Sequence, residues 1–164
     1  MIDRFALRLL RPVIDGAARR VAGFGISADQ ATLIGFGFGI AAALLIGIGH
    51  TWIAILPLLA NRALDGLDGA LARLSAATDR GAFLDIGLDF VFYAAVPLAF
   101  AFCDPVANPL PAAVLLASFL GTGTSFLAFA IIAEKRGLKS TAYPSKSFYY
   151  LGGLTEGTET IACF

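Results

Sequence analysis

The sequence predicts an all-α fold: an integral membrane helical bundle preceded by an amphipathic helix on the membrane surface. Three observations predict it. Apolar residues make up 58% of the 164 and charged residues only 15%, against about 45–50% and about 25% in soluble domains, and the mean hydropathy is +0.80. Four apolar runs each approach the ~20 residues needed to cross a bilayer. The basic residues, finally, gather at alternate ends of those runs. The formal net charge is zero, which gives no support to a nucleic-acid partner.

From Ile2 to Val21, the apolar residues Ile2, Phe5, Leu9, Val13, Ala17 and Val21 recur at helical spacing. Arg4, Arg8, Arg11, Asp15 and Arg19 mark the opposite face, so residues 1–22 read as a helix lying on an anionic membrane surface. Gly23 and Gly25 end it. Ser27 and Gln30 have the spacing of a capping box and open a first span over 29–48, where Gly35 and Gly39 suit close helix contact. A turn at Gly49-His50-Thr51 leads to a second span, 52–74, with Trp52 as an interfacial anchor. Arg62, near its middle, needs a carboxylate or phosphate partner.

A polar loop over Ser75–Arg80 precedes a third span, 81–102. Asn108 reads as a cap and Pro109 as the first residue of a fourth span, 109–134. Past Lys146, a further span begins over 146–164, but Glu156, Glu159 and several glycines dilute it. We expect a single membrane domain whose C-terminal part is cut short at Phe164. Arg4, Arg8, Arg11, Arg19, Arg20, Arg73, Arg80, Lys135, Arg136, Lys139 and Lys146 all fall on one side of the weave. The positive-inside rule makes that side cytoplasmic, which suits a bacterial inner membrane protein.

Four aspartates interrupt the greasy pattern. Asp65 and Asp68 stand at i, i+3, and Asp85 and Asp89 at i, i+4, so each pair shares a helix face. One aspartate at mid-bilayer costs about 2.5–3.5 kcal/mol, and four ionised ones about 10 kcal/mol or more. Divalent cations held by carboxylate oxygens are the simplest neutralisation. A cation transporter would use such carboxylates, and so would a Mg²⁺-dependent membrane prenyltransferase. Prenyltransferase motifs usually show clustered N-D-x-x-D patterns on a longer chain, and a transporter does not explain the small and basic residues around the carboxylates: Asp65-Gly-Leu-Asp68-Gly69-Ala-Leu-Ala72-Arg73, then Gly81-Ala-Phe-Leu-Asp85-Ile-Gly-Leu-Asp89.

That double motif resembles the signature of the CDP-alcohol phosphotransferases, D-x-x-D-G-x-x-A-R followed by G-x-x-x-D-x-x-x-D. Every fixed position is present. The resemblance implies a six-span bundle, of which this chain would end within the fifth, and a homodimer. It implies transfer of a phosphatidyl or other substituted phosphate group from a CDP-linked lipid, such as CDP-diacylglycerol, to an alcohol in phospholipid biosynthesis, with release of CMP. By the same resemblance, Asp65, Asp68, Asp85 and Asp89 hold Mg²⁺ or Mn²⁺, two ions being expected, and Asp89 is also the general base. Asp29, Thr32, Gly69, Ala72, Arg73, Thr78 and Gly81 would bind the CDP-lipid, with helix-terminal N–H groups near Gly81 free for phosphate. Lys135, Glu156 and Glu159 are candidates for the acceptor pocket.

Overall fold

A computed structural model describes residues 2–75 and 78–137, with side chains from residue 11 onward. It contains five helices and, among the described residues, no strand: α1 (Ile2–Gly23), α2 (Ala28–Gly47), α3 (Thr51–Ser75), α4 (Asp79–Cys103) and α5 (Pro109–Lys135). Lys139, Lys146, Glu156, Glu159 and the stretch 146–164 lie outside the described residues.

Helices α2, α4 and α5 are long and apolar enough to cross a membrane. Helix α3, at 25 residues, has the length but not the unbroken apolarity, because Arg62, Asp65 and Asp68 interrupt it from the middle onward. The outward-facing side chains agree with a lipid surround. Leu44, Leu56, Leu120 and Ile131 are each 66–71% exposed, while the interior is built mainly of alanine. Small residues inside and large ones outside let helix backbones approach closely.

The helix ends are fixed by local chemistry. Gly25 takes the left-handed conformation (φ 77°), and α2 then starts under a complete capping box. The Ser27 hydroxyl accepts from the Gln30 N–H at 3.2 Å, and the Gln30 side chain accepts from the Ser27 N–H at 2.9 Å. At the other end, His50 N–H donates to Leu45 C=O and Gly49 N–H to Ile46 C=O, with Gly49 at φ 84°. Those two bonds close a Schellman turn and reverse the chain into α3.

One expected cap is corrected. Asn108 precedes Pro109, but its side chain makes no capping bond. It donates instead to Phe100 C=O at 2.9 Å, closing the preceding helix. The linking turn is held by Asp104, whose carboxylate accepts from the N–H groups of Val106 and Ala107, each at 3.0 Å. Those two donors, Ala107 foremost, keep its carboxyl below the usual carboxylate range.

Helix α2 sits at the centre, packed against both α3 and α4, while α5 leans on α4 and α1 on α3. Ala42, Ala43, Ile46, Ala54 and Ala99 make one apolar cluster where α2, α3 and α4 meet. Ala18, Ala31, Ala70 and Leu71 make a second, with Ile14 and Val21 packed against it. The amphipathic helix α1 therefore spends part of its apolar face on α3, and Val13 remains exposed. Between these two clusters lie the polar residues of α3 and α4.

Candidate active site

Two glycines on α2 bring the helices close enough to form a site. A Cβ at Gly35 would come 3.1 Å from the Leu64 Cβ on α3, and one at Gly39 would come 2.7 Å from the Phe92 ring and 3.0 Å from the Asn61 amide. At Gly35 the fit is tight, and at Gly39 a larger side chain would force its neighbours to shift. Asn61, buried at 4% exposure, uses the proximity to donate to Gly35 C=O at 2.9 Å.

One turn along α3 from Asn61, and on the facing side of α4, the carboxylates converge. Asp65, Asp85 and Asp89 each offer an oxygen within 4.8 Å of the other two. The helical spacing does this: Asp85 and Asp89 are one turn apart on α4, and both look across at Asp65. The cleft between them is also lined by Thr32, Gly35, Asp68 and Phe92 and has about 10 Å³ of open volume.

Asp68 lines the same cleft but stands outside the three-carboxylate cluster. It turns toward α2, where the Thr32 hydroxyl donates to its carboxylate at 2.6 Å. Residue 68 is only 6% exposed, so this bond satisfies an acceptor that water scarcely reaches. Thr32→Val keeps the shape and removes the donor. The expected result is a loss of about 1–3 kcal/mol of stability, read as a lower melting temperature in detergent micelles. An unchanged melting temperature would show the bond to be dispensable.

Arg62 lies over the cluster. Its guanidinium is 3.5 Å from Asp65 and 3.4 Å from Asp89, and its Nε donates to the Asn61 side chain at 2.8 Å. The partner that a cation at mid-span demands is thus a pair of carboxylates. Asn61 and Phe92 were not singled out from the sequence. A signal existed for Asn61, which stands four residues before Asp65 and so on the same face.

The residues expected around the nucleotide collect at one end of the bundle, where α2 and α4 begin and α3 ends. Asp29 pairs with Arg80 at 3.5 Å. Gly81 allows the start of α4 to approach α2, since a Cβ there would lie 3.1 Å from the Asp29 carboxylate. Its N–H is not free for phosphate, however: it donates to the Thr78 hydroxyl at 3.0 Å. Thr78 is the N-cap of α4, and Asp79 is the first residue within the helix. Arg73 reaches back to α1, 3.1 Å from Asp15. A Cβ at Gly69 would lie 3.8 Å from the Arg73 guanidinium, and Ala72 beside them is half-buried. Lys135 ends α5 and is exposed.

The sequence model describing CDP-alcohol phosphatidyltransferases matches residues 26–151, a stretch that includes every aspartate of the cleft. The chain belongs to that family. It is similar to inner membrane protein YnjF of Escherichia coli (strain K12), with 49% identity over 164 residues that take in 100% of this chain and 80% of that protein. No solved structure matches it. As a CDP-alcohol phosphatidyltransferase family member it is a transferase of the membrane environment, and its cleft carries the aspartates of both halves of the motif.

Proposed function

We propose that this phosphatidyltransferase family member moves a substituted phosphate group, such as the phosphatidyl group of CDP-diacylglycerol, from a CDP-linked lipid to an alcohol and releases CMP. The observation that carries the reading is the set of three carboxylates from two helices, each with an oxygen within 4.8 Å of the others, in a family defined by CDP-alcohol chemistry.

The donor set fits a hard divalent cation. All the candidate ligands are carboxylate oxygens, which suit Mg²⁺ or Mn²⁺. Asp65, Asp85 and Asp89, with Asp68 beside them, would hold the ions, two being the number proposed. When bound, such ions neutralise the pyrophosphate and stabilise the charge that builds on it during displacement.

The chain's own residues would do the rest. Asp89 accepts the proton of the acceptor hydroxyl as that oxygen bonds to the lipid-bearing phosphorus. The bond from that phosphorus to the bridging oxygen breaks, and CMP leaves with the electron pair. Arg73 would exchange the Asp15 carboxylate for a donor phosphate, since the planar guanidinium matches either oxyanion. Asp29, Thr32, Gly69, Ala72, Thr78 and Gly81 would complete the nucleotide side, and Lys135, Glu156 and Glu159 the acceptor side. The proposed setting is a homodimer in a bacterial inner membrane with the cleft facing the cytoplasm, the side to which the basic residues distribute.

The test is incubation of the purified protein in nanodiscs with labelled CDP-diacylglycerol, a panel of alcohols, and Mg²⁺ or Mn²⁺. We expect CMP and a new phospholipid in equal amounts, with both products lost on chelation by EDTA and restored by added metal. Absence of CMP with every alcohol, together with divalent-ion flux in proteoliposomes, would replace this reading with a transporter.

A further inference from the structure

Arg62 is the one cation within ion-pair distance of two of the clustered carboxylates among the described residues, and it is held there from several directions. Its Nε donates to the Asn61 side chain, which is itself anchored to the α2 backbone through Gly35 C=O. Its two terminal nitrogens divide between Asp65 on its own helix and Asp89 on α4. Its flat face lies against two rings, with the guanidinium carbon 4.8 Å from the Phe92 centroid and 5.8 Å from that of Tyr93. A residue kept only to solubilise a helix would not be tied at every edge and on one face.

Each contact on the acids uses one oxygen: Oδ2 of Asp65 and Oδ1 of Asp89. A carboxylate has a second, so the guanidinium can remain while the other oxygens turn to a metal. We propose that Arg62 is a built-in counter-cation that holds Asp65 and Asp89 together without metal and lowers the affinity of the cleft for divalent ions. It is a positioning residue, and the inference rests on the reading of the cleft as a metal site.

Two effects oppose each other when Arg62 is removed. Loss of order in the acids weakens metal binding, whereas loss of a nearby positive charge strengthens it. The carboxylates sit on helices already locked by the close approaches at Gly35 and Gly39, so most of the order survives. Repulsion between a fixed cation and a divalent ion in a partly dry cleft is the larger effect, on the order of tenfold or more in affinity. Neutral Arg62→Gln should therefore bind metal more tightly while turning over more slowly.

The experiment titrates Mn²⁺ into the full chain in nanodiscs, follows free Mn²⁺ by electron paramagnetic resonance, and measures CMP release in parallel. Arg62→Gln is expected to bind Mn²⁺ about tenfold or more tightly than the unsubstituted protein, with a lower kcat. Arg62→Lys keeps the charge and loses the fork, so its Mn²⁺ affinity should stay within about threefold while kcat falls. Equal or weaker Mn²⁺ binding by folded Arg62→Gln overturns the inference. Should that variant fail to fold, a tenfold change in Mn²⁺ affinity for Arg62→Lys overturns it equally. If the unsubstituted protein binds no Mn²⁺, the metal-site reading falls first and takes this one with it. If it binds Mn²⁺ and Arg62→Gln is unchanged, only the counter-cation role is lost.

Discussion

Asp89→Asn should leave a folded protein that binds its donor and no longer transfers. The amide has nearly the shape of the carboxylate, so the packing of α4 is preserved, but it can neither accept a proton nor carry charge to a metal. Loss of a general base alone costs about 10²–10⁴-fold in rate, and weakened metal binding adds to that. Asp89 also faces Arg62 at 3.4 Å, so the substitution leaves that guanidinium with one carboxylate in place of two. The check is CMP release at saturating metal, with circular dichroism to verify helix content. Turnover within tenfold of the unsubstituted rate would remove Asp89 as the base.

Gly39→Ala is expected to damage both stability and activity, from a position that bears no chemistry of its own. The added Cβ would lie 2.7 Å from the Phe92 ring, which is buried at 5% exposure, and 3.0 Å from the Asn61 amide. Overpacking of this kind costs about 1–3 kcal/mol. The added methyl would also push α2 away from Asn61 on α3 and Phe92 on α4, undoing the contact that fixes the two helices, so misalignment of Asp65 and Asp89 should follow. Misplacement of about 1 Å can cost on the order of 10²-fold in rate. Gly37→Ala is the control, because nothing lies within 4 Å of a Cβ at that position. Equal melting temperatures and equal turnover for the two variants would show that the α2–α3–α4 contact is looser than described.

Much of this site could be read from the chain because it rests on local periodicity. The i, i+3 and i, i+4 spacings put Asp65 beside Asp68 and Asp85 beside Asp89 on shared faces, and cost arguments required that the charges be compensated. Ser27 and Gln30 likewise carried their own capping geometry within four residues. The rest depended on which helix faces which. Asp68 turns to Thr32, 36 residues away, and Arg73 turns to Asp15, 58 residues away; no pattern along the chain carries that information. Gly39 could be read as a packing glycine, but its partner, the Phe92 ring, could not. Thr78 and Asn108 show a different limit. Both stand at helix starts, and only the geometry shows Thr78 capping its own helix while Asn108 serves the previous one.

The arrangement of small side chains within and bulky ones without gives the protein an inverted tolerance to change. In a water-soluble domain, trimming a large apolar residue usually opens a cavity in the interior. Here trimming Leu56 or Leu120 would only trade one lipid contact for another, whereas adding a single methyl group between α2 and its neighbours forces backbones apart. A saturation scan of the apolar and glycine positions, scored by melting temperature, should consequently record its severest losses where side chains grow, and its mildest where they shrink.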